Sequence, residues 1–253
     1  MNDLKMTFIE PLCIHEQGLR ENNEDAFLYK KINENTFCYI VCDGVGGSQK
    51  GEVASALTCK LIINYMTNNV LEEPFGQYVD MMIKYVHDEF ETYQRENLDS
   101  EDMGTTLALL VFHGDKVIFV HIGDSRVYHI RGNEILFQTQ DHSLVNELLK
   151  NKIITLEEAL HHPQKNIIMR AIQAGNKPPA KADIHFSDDI SEGDYFFLCS
   201  DGILEKLNHS HLLDILNSKN DDDEKIKQIK EFCEENSRDN FTALLIPIQN
   251  LKN

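Results

Sequence analysis

The fold of this chain is decided between residues 105 and 138, which read TTLALLVFHGDKVIFVHIGDSRVYHIRGNEILFQ. Segments rich in Val, Ile, Phe and Tyr predict strands at Thr105–Phe112, Val117–Ile122, Val127–Ile130 and Glu134–Gln138. Only short polar turns separate these segments, and connections of that length join antiparallel neighbours. The stretch therefore predicts a block of strands connected by hairpins.

Outside this block, the sequence predicts both strands and helices. Further strands are predicted at Thr7–His15, Ala26–Lys30, Thr36–Cys42, Tyr195–Cys199 and Phe241–Ile248. Helical spacing of apolar residues appears at Val53–Met66, at 79–90 and at 226–233. Repeated βαβ units are absent from this order, which favours an antiparallel α+β fold with helix-covered sheets over a parallel doubly wound sheet.

No linker or composition shift divides the 253 residues, so we expect residues 1–253 to form a single domain. The segment 143–172 contains short helical pieces and a His-His-Pro break. It is predicted to be a small insertion on the main frame.

Composition excludes several classes of partner. The chain has 42 acidic and 24 basic residues, a formal charge of -18 that repels nucleic acid and anionic lipid. Charged residues near the N-terminus argue against secretion, and the longest apolar runs, such as Phe37–Cys42, are far too short to cross a bilayer. The six cysteines form no C-x-x-C pair, which predicts reduced, mainly core thiols in a cytoplasmic protein.

Carboxylates recur at the ends of the predicted strands, where a rigid frame can direct distant side chains toward one point. These are Glu24, Asp25, Asp43, Asp124, Asp201 and Asp239. Oxygen ligands of this kind suit Mg²⁺ or Mn²⁺. Asp43-Gly44 and Asp201-Gly202 are each, taken alone, more typical of an ordinary turn than of a metal ligand. Together with the glycine-rich loop that leads toward Glu52, they favour an ion or phosphate site.

Eight short motifs follow one another along the chain: Gly18–Asp25, Val41–Gly47, Gly51–Ser55, Gly104–Thr106, Gly123–Arg126, Asp141–Ser143, Cys199–Gly202 and Ser237–Asn240. In this order they resemble the motifs of the type 2C (PPM) metal-dependent Ser/Thr protein phosphatases, in particular their bacterial branch. Each motif alone is weak, whereas the ordered set spans essentially the whole chain. The resemblance implies a central sandwich of two mainly antiparallel β-sheets flanked by helices, with a flap beside the active site at approximately 143–172.

The resemblance also implies a site with two Mn²⁺ or Mg²⁺ ions and possible space for a third. Asp43 would bridge two ions, the Gly44 carbonyl would bind one of them, and Asp201 and Asp239 would complete the other. Glu24 and Asp25 would hold metal-bound waters, and Asp124 resembles the ligand of the third ion. Arg20 would bind the phosphoryl oxygens, a role that suits its planar fork.

Several of these residues have a structural alternative. Arg20 could form a surface salt bridge, and Asp124 could belong to a simple Asp-Ser turn. Asp141 is predicted mainly to cap the helix that begins near Ser143. Thr105 and Thr106 are interpreted as strand residues without chemistry. His161 and His162, next to a proline, are predicted to be structural or solvent-facing rather than metal ligands.

The chain departs from the family pattern near the bridging aspartate. Relatives carry a histidine there, either directly after Asp-Gly or after Gly-Gly, whereas this chain has Val45 and Ser48. Protonation of the leaving serine oxygen therefore has no assigned side chain. A metal-bound water is one substitute.

The sequence thus predicts hydrolysis of phosphoserine and phosphothreonine in proteins by a water held between two cations. The partners would be phosphorylated proteins, either a Ser/Thr kinase or its substrates, and the chain is expected to be a monomer. Two other classes remain open: a non-catalytic phosphoprotein or nucleotide binder on the same fold, and another metallohydrolase such as a nuclease. The presumed ligands Asp43, Asp201 and Asp239 argue against the first class, and the net charge argues against the second.

Overall fold

The computed structural model describes residues 7–45, 50–97, 103–173, 175 and 178–249. The strands are β1 (Leu12–Glu16), β2 (Asp25–Asn33), β3 (Thr36–Asp43), β4 (Gly104–Thr105), β5 (Leu107–His113), β6 (Lys116–Ile122), β7 (Arg126–Arg131), β8 (Glu134–Gln138), β9 (Ile172–Gln173), β10 (Asp183–Ser187), β11 (Asp194–Cys199) and β12 (Phe241–Pro247). The helices are α1 (Gly51–Asn68), α2 (Phe75–Glu96), α3 (Leu144–Lys150), α4 (Leu156–Leu160), α5 (Asp201–Leu204), α6 (His209–Leu216) and α7 (Asp222–Asn236).

The strands form two five-stranded sheets, both antiparallel throughout. One sheet has the order β10-β6-β5-β3-β2 and the other the order β1-β12-β11-β7-β8, while β4 and β9 form a separate short pair. The predicted sandwich of two antiparallel sheets flanked by helices is confirmed. The predicted block of hairpins is correct for β5–β6 and for β7–β8 but wrong between them, because the chain crosses from one sheet to the other after β6. The first strand begins later than predicted, at Leu12, because Pro11 has no amide N–H to donate to a ladder.

The two faces of β3 explain its unbroken apolar sequence. Phe37, Tyr39 and Val41 enter the core between the two sheets. Cys38, Ile40 and Cys42 point the other way, into the core beneath α1 and α2. A strand covered on both faces reads as a continuous hydrophobic run rather than an alternating one.

The second sheet is covered in the same way on its outer face. Phe197, Cys199 and Leu245 pack against Leu212 of α6 and Ile229 of α7. The molecule therefore has four layers, with helices outside and two sheets inside. Strands β10 and β9 were not predicted, since β10 is a partly exposed edge strand and β9 has only two residues.

Topology brings the predicted acidic residues to one end of the sandwich. In the first sheet the start of β2 pairs with the end of β3. In the second sheet the end of β11 pairs with the starts of β7 and β12. The loops that carry the strand-end carboxylates consequently meet at this end.

Candidate metal centre

Asp25 and Asp43 are paired directly across β2 and β3. The Asp43 carbonyl accepts hydrogen bonds from the Thr106 amide and from Oγ1 of Thr105, both at 2.8 Å. The Asp43 amide donates to Oγ1 of Thr106 at 2.9 Å. The two threonines, to which sequence reasoning gave no chemistry, thus hold the backbone of the presumed bridging residue. The Gly104–Thr106 motif was the sequence feature that could have indicated this supporting role, because it contains no group that could act in catalysis.

Asp201 begins α5, directly after the buried Ser200. Oγ of Ser200 donates to Oδ2 of Asp25 at 2.7 Å, which ties the two sheets together at this point. The carboxylates of Asp43 and Asp201 are close enough to share a hydrogen bond when one of them is protonated. The chain-distant residues Asp25, Asp43 and Asp201 therefore form one cluster.

Asp239 and Glu24 lie beside this cluster, and Asn240 is hydrogen-bonded to both of them. Oδ1 of Asn240 accepts the Glu24 amide at 2.9 Å, and its Nδ2 donates to the carbonyl oxygens of Gln17 at 2.7 Å and Asn22 at 2.8 Å. Asn240 is therefore the residue that attaches the opening motif to the start of β12. Sequence reasoning included it in a motif but gave it no role.

Burial raises the pKa values of the clustered carboxyls. The pKa of Asp25 rises to about 7 and that of Asp124 to about 7, in both cases chiefly through burial and then through neighbouring carboxylates. The pKa of Asp201 rises to about 6 for the same reason, with Asp239 as its main charged neighbour. Burial, with Asp25 and Asp201 nearby, raises the pKa of Asp43 well above its usual range. This end of the molecule concentrates negative charge that a cation would neutralise.

Two buried oxygens test whether the residues fit a metal. Among the described residues, Oδ1 of Asp25 and Oδ1 of Asp124 have no hydrogen-bond partner although both are buried. An unpaired buried carboxylate oxygen is costly unless a proton or cation compensates it. An all-oxygen donor set of aspartates suits Mg²⁺ or Mn²⁺. The residues present therefore fit the divalent ions that the sequence predicts.

Arg20 lies at the rim of the cluster with most of its side chain exposed. Its Nη2 donates to Oδ2 of Asp239 at 2.7 Å, so the salt bridge considered from the sequence does form. Asp201 and Glu24 are also near enough to raise its pKa, after the hydrogen bond and charge of Asp239. The guanidinium is thus held beside the acidic cluster and open to solvent.

The glycine loop is described only in part. Gly44 is buried, and its amide donates to the Glu24 carbonyl at 3.0 Å. A Cβ on Gly44 would lie 2.5 Å from the Gly51 backbone, which explains the need for glycine where the loop meets α1. Gly46, Gly47 and Ser48 lie outside the described residues, so the expectation for Ser48 stays a prediction.

The predicted helix cap at Asp141 is wrong. Oγ of Ser143 accepts the Asn146 amide and caps α3 instead. The Asp141 carboxylate forms a bidentate pair with Arg126, with both N–O distances 2.6 Å. A half-buried guanidinium two residues beyond Asp124 competes more strongly for this carboxylate than a helix amide does, because both partners are charged. Asp141 therefore pairs with a side chain and not with the amides of α3.

Cysteines and histidines outside the cluster agree with their structural interpretations. Cys42 and Cys199 are fully buried and face different cores, and burial raises the pKa of both thiols. His161 is exposed, and Nδ1 of His162 accepts the Gln164 amide at 3.2 Å. In the part of the chain described, neither histidine belongs to a group that could hold a metal.

The predicted insertion leaves and rejoins the frame at one place. Ser143 and Ile168 form an isolated antiparallel bridge, and the Leu144 amide donates to the Ile167 carbonyl at 2.9 Å. Between them, α4 begins with a capping box formed by Thr155 and Glu158. The segment thus contains short helices, and its two ends are hydrogen-bonded to each other.

Comparison with known proteins agrees with this arrangement. The family model "Protein phosphatase 2C" matches residues 17–237. The chain belongs to this protein phosphatase 2C family, and the resemblance stated from the motifs is confirmed. The relatives that follow are named as serine/threonine phosphatases, and the chain is an enzyme of that class.

Three relatives illustrate the likeness. The serine/threonine phosphatase stp of Listeria welshimeri is 32% identical over 232 residues, covering 90% of this chain and 91% of the relative. The crystal structure of Stp1 from Staphylococcus aureus superposes with a TM-score of 0.87 at 29% identity, covering 96% of each chain. The catalytic domain of PstP in complex with two manganese ions gives 0.77 at 27% identity, covering 96% and 99%.

None of the described helices combines the length and apolar character needed to cross a bilayer.

Proposed function

We propose that this chain hydrolyses phosphoserine and phosphothreonine in proteins with the help of Mn²⁺ or Mg²⁺. The observation that carries the proposal is the convergence of Asp25, Asp43, Asp124 and Asp201, of which Asp25 and Asp124 each have a buried oxygen with no partner among the described residues. Membership of the 2C family and the manganese ions in the structure of PstP support it. The whole of residues 1–253 would serve as one phosphatase domain.

In this proposal Asp43, together with the Gly44 carbonyl for one ion and with Asp201 and Asp239 for the other, would hold two ions, and Asp124 would hold a third. When bound, the ions supply a nucleophilic water at neutral pH and neutralise the phosphoryl oxygens.

The chain's own residues position the reaction. Arg20, exposed beside Asp239, binds the phosphoryl oxygens of the substrate with its fork of N–H donors. Glu24 and Asp25 orient water next to the ions. Attack by water on phosphorus breaks the bond to the seryl or threonyl oxygen, which leaves with a proton and gives inorganic phosphate and the free hydroxyl group. No covalent phosphoenzyme is needed, since Cys42 and Cys199 face the core.

The substrates are phosphorylated proteins, namely a Ser/Thr kinase or the proteins that such a kinase modifies. Discrimination among them belongs to the insertion at 143–172, which carries exposed apolar side chains such as Leu156 and Met169. A protein with a formal charge of -18 would select against nucleic acid.

Phosphate release from a phosphothreonine peptide, measured with and without Mn²⁺, tests the proposal. We expect release only with the ion, and none above background from Asp43→Asn. Peptide binding without release would indicate the non-catalytic alternative. Cleavage of a phosphodiester without release from the peptide would indicate a different metallohydrolase.

A further inference from the structure

The turn that carries Asp124 is held by a buried histidine from another loop. Nδ1 of His142 accepts the Gly123 amide at 3.1 Å, and the His142 amide donates to the Gly123 carbonyl at 2.8 Å. Gly123 has φ +97, and a Cβ there would lie 2.7 Å from Cγ2 of Thr106. The turn is therefore packed between Thr106, which also holds the Asp43 backbone, and the imidazole of His142.

These hydrogen bonds fix the tautomer of His142. A backbone amide can only donate, so Nδ1 must be the unprotonated nitrogen of the ring. The proton of the neutral ring then lies on Nε2, which is 3.2 Å from Oδ2 of Asp183 on β10. Asp183 is thus the carboxylate that orients His142, and His142 is the acceptor that orients Gly123.

The same hydrogen bonds argue against a further metal at this place, although His121, His142 and Asp183 converge. Nε2 of His121 faces the Gln140 carbonyl at 2.8 Å and must carry a proton. Nε2 of His142 carries one as well: Nη1 of Arg170 lies 3.0 Å from it, but the two protons of this nitrogen are donated to Oδ1 of Asp183 and to the Lys181 carbonyl. Nη1 of Arg170 lies 2.7 Å from Oδ1 of Asp183, so a guanidinium already supplies the positive charge.

We propose that His142 is a positioning residue for Asp124: supported by Asp183, its Nδ1 holds the Gly123 amide and so fixes the turn from which the Asp124 carboxylate enters the acidic cluster. This inference rests on the proposed role of Asp124 as a metal ligand. Oδ1 of Asp124 is buried and has no hydrogen-bond partner among the described residues. The direction of the Asp124 carboxylate therefore depends on the backbone of the turn.

The tautomer can be tested on the metal-free protein. Long-range ¹H–¹⁵N spectra of the imidazole should show an unprotonated Nδ1 and a protonated Nε2 for His142, identified by its loss in His142→Asn. A ring protonated at Nδ1 would overturn the proposal, because it could not accept from Gly123.

Three variants separate positioning from structural support. His142→Asn keeps an acceptor near the place of Nδ1, whereas His142→Gln keeps a polar group near Nε2 and loses that acceptor. His129→Gln is the matched control, because Nε2 of His129 lies 2.8 Å from Oδ2 of Asp194, a buried pair at the other end of β11. We expect His142→Gln to weaken the weakest Mn²⁺ site by about tenfold in titration calorimetry. His142→Asn and His129→Gln should bind Mn²⁺ like the wild type, whatever happens to Tm.

Asp124→Ala separates this inference from the proposed function. It should remove one Mn²⁺ site. If it does so while His142→Gln binds Mn²⁺ normally, the positioning role is wrong and the site stands. If Asp124→Ala binds as many ions as the wild type, Asp124 is not a ligand and the inference falls with that assignment. Equal weakening in His142→Asn and His142→Gln would point to lost packing and would also overturn it.

Discussion

Nη2 of Arg20 donates to Oδ2 of Asp239 across 2.7 Å, so the presumed phosphate-binding residue is paired with a presumed metal ligand. The Arg20 side chain is 61% exposed, and an ion pair so open to water contributes less than about 1 kcal/mol to stability. Such a weak contribution to stability is compatible with the proposed contact between Arg20 and the phosphoryl group of the substrate.

The first prediction concerns Arg20→Ala. Loss of a charge-assisted contact to the phosphoryl group should raise KM for a phosphothreonine peptide about tenfold. Tm should stay within about 3 °C of the wild type. Steady-state kinetics and a thermal melt decide this, with Arg20→Lys as the control that keeps charge but not the fork. A large fall in Tm at unchanged KM would support the purely structural salt bridge.

The second prediction concerns Asp239→Asn. It keeps an acceptor for the Asn240 amide, which donates to Oδ1 of Asp239 at 2.9 Å, so the fold should survive. Most Mn²⁺-dependent turnover should be lost, and chelation should abolish the turnover of the wild type reversibly. The matched control is Asp189→Asn, which removes an exposed carboxylate paired with Arg131 at 2.8 Å, near the start of β11. Normal turnover and Mn²⁺ affinity in Asp239→Asn would remove this residue from the site.

The third prediction is a pH dependence in the metal-free protein. Burial raises the pKa of Asp124 to about 7 in the folded state, against 3.8 for the ordinary side chain. The folded protein then binds more protons than the unfolded one between these values, so this group's contribution to stability is lost as pH rises from about 4 to 7. Asp124→Asn, which cannot ionise, should match the wild type near pH 4 and melt several degrees higher above pH 7.

Thermal melts in chelator across this range give the measurement. Mn²⁺ should reverse the order above pH 7, because it binds the wild-type carboxylate. A constant difference in Tm at all pH values would show that the carboxyl does not titrate in this window.

The fourth prediction concerns Gly18, whose φ is +61. A Cβ there would lie 2.0 Å from the Asp239 carbonyl oxygen. Gly18→Ala should displace Asp239 and weaken Mn²⁺ binding as well as lower Tm. Gly132→Ala is the matched control, since Gly132 has φ +51 and a Cβ there would have no atom of the described residues within 4 Å. It should lower Tm through backbone strain alone, and equal Mn²⁺ affinity in both variants would contradict the prediction.

The sequence predicted those parts of the molecule whose cause is local. Buried strands such as β3 are visible in the sequence as unbroken apolar runs. Asp43 and Asp201 lie within two residues of the end of such runs. Edge strand β10 lacks this signal, since much of it faces solvent and its pairing with β6 is a tertiary matter. The pairing of Asp141 with Arg126 was missed for a similar reason, because helix caps are visible in a sequence and side-chain partners from another loop are not.

Strand β12 lies between β1 and β11, although it follows both in the chain. Nδ1 of His15 on β1 lies 3.0 Å from Oγ1 of Thr242 on β12, 227 positions away in sequence, and within the described part of the chain β1 pairs with β12 alone. Contacts so distant in sequence form late, since the cost of closing the loop precedes the gain. During synthesis, β1 cannot pair with β12 until β12 has been made. Because Asp239 immediately precedes β12, a growing chain that has not yet placed β12 between β1 and β11 lacks the complete acidic cluster.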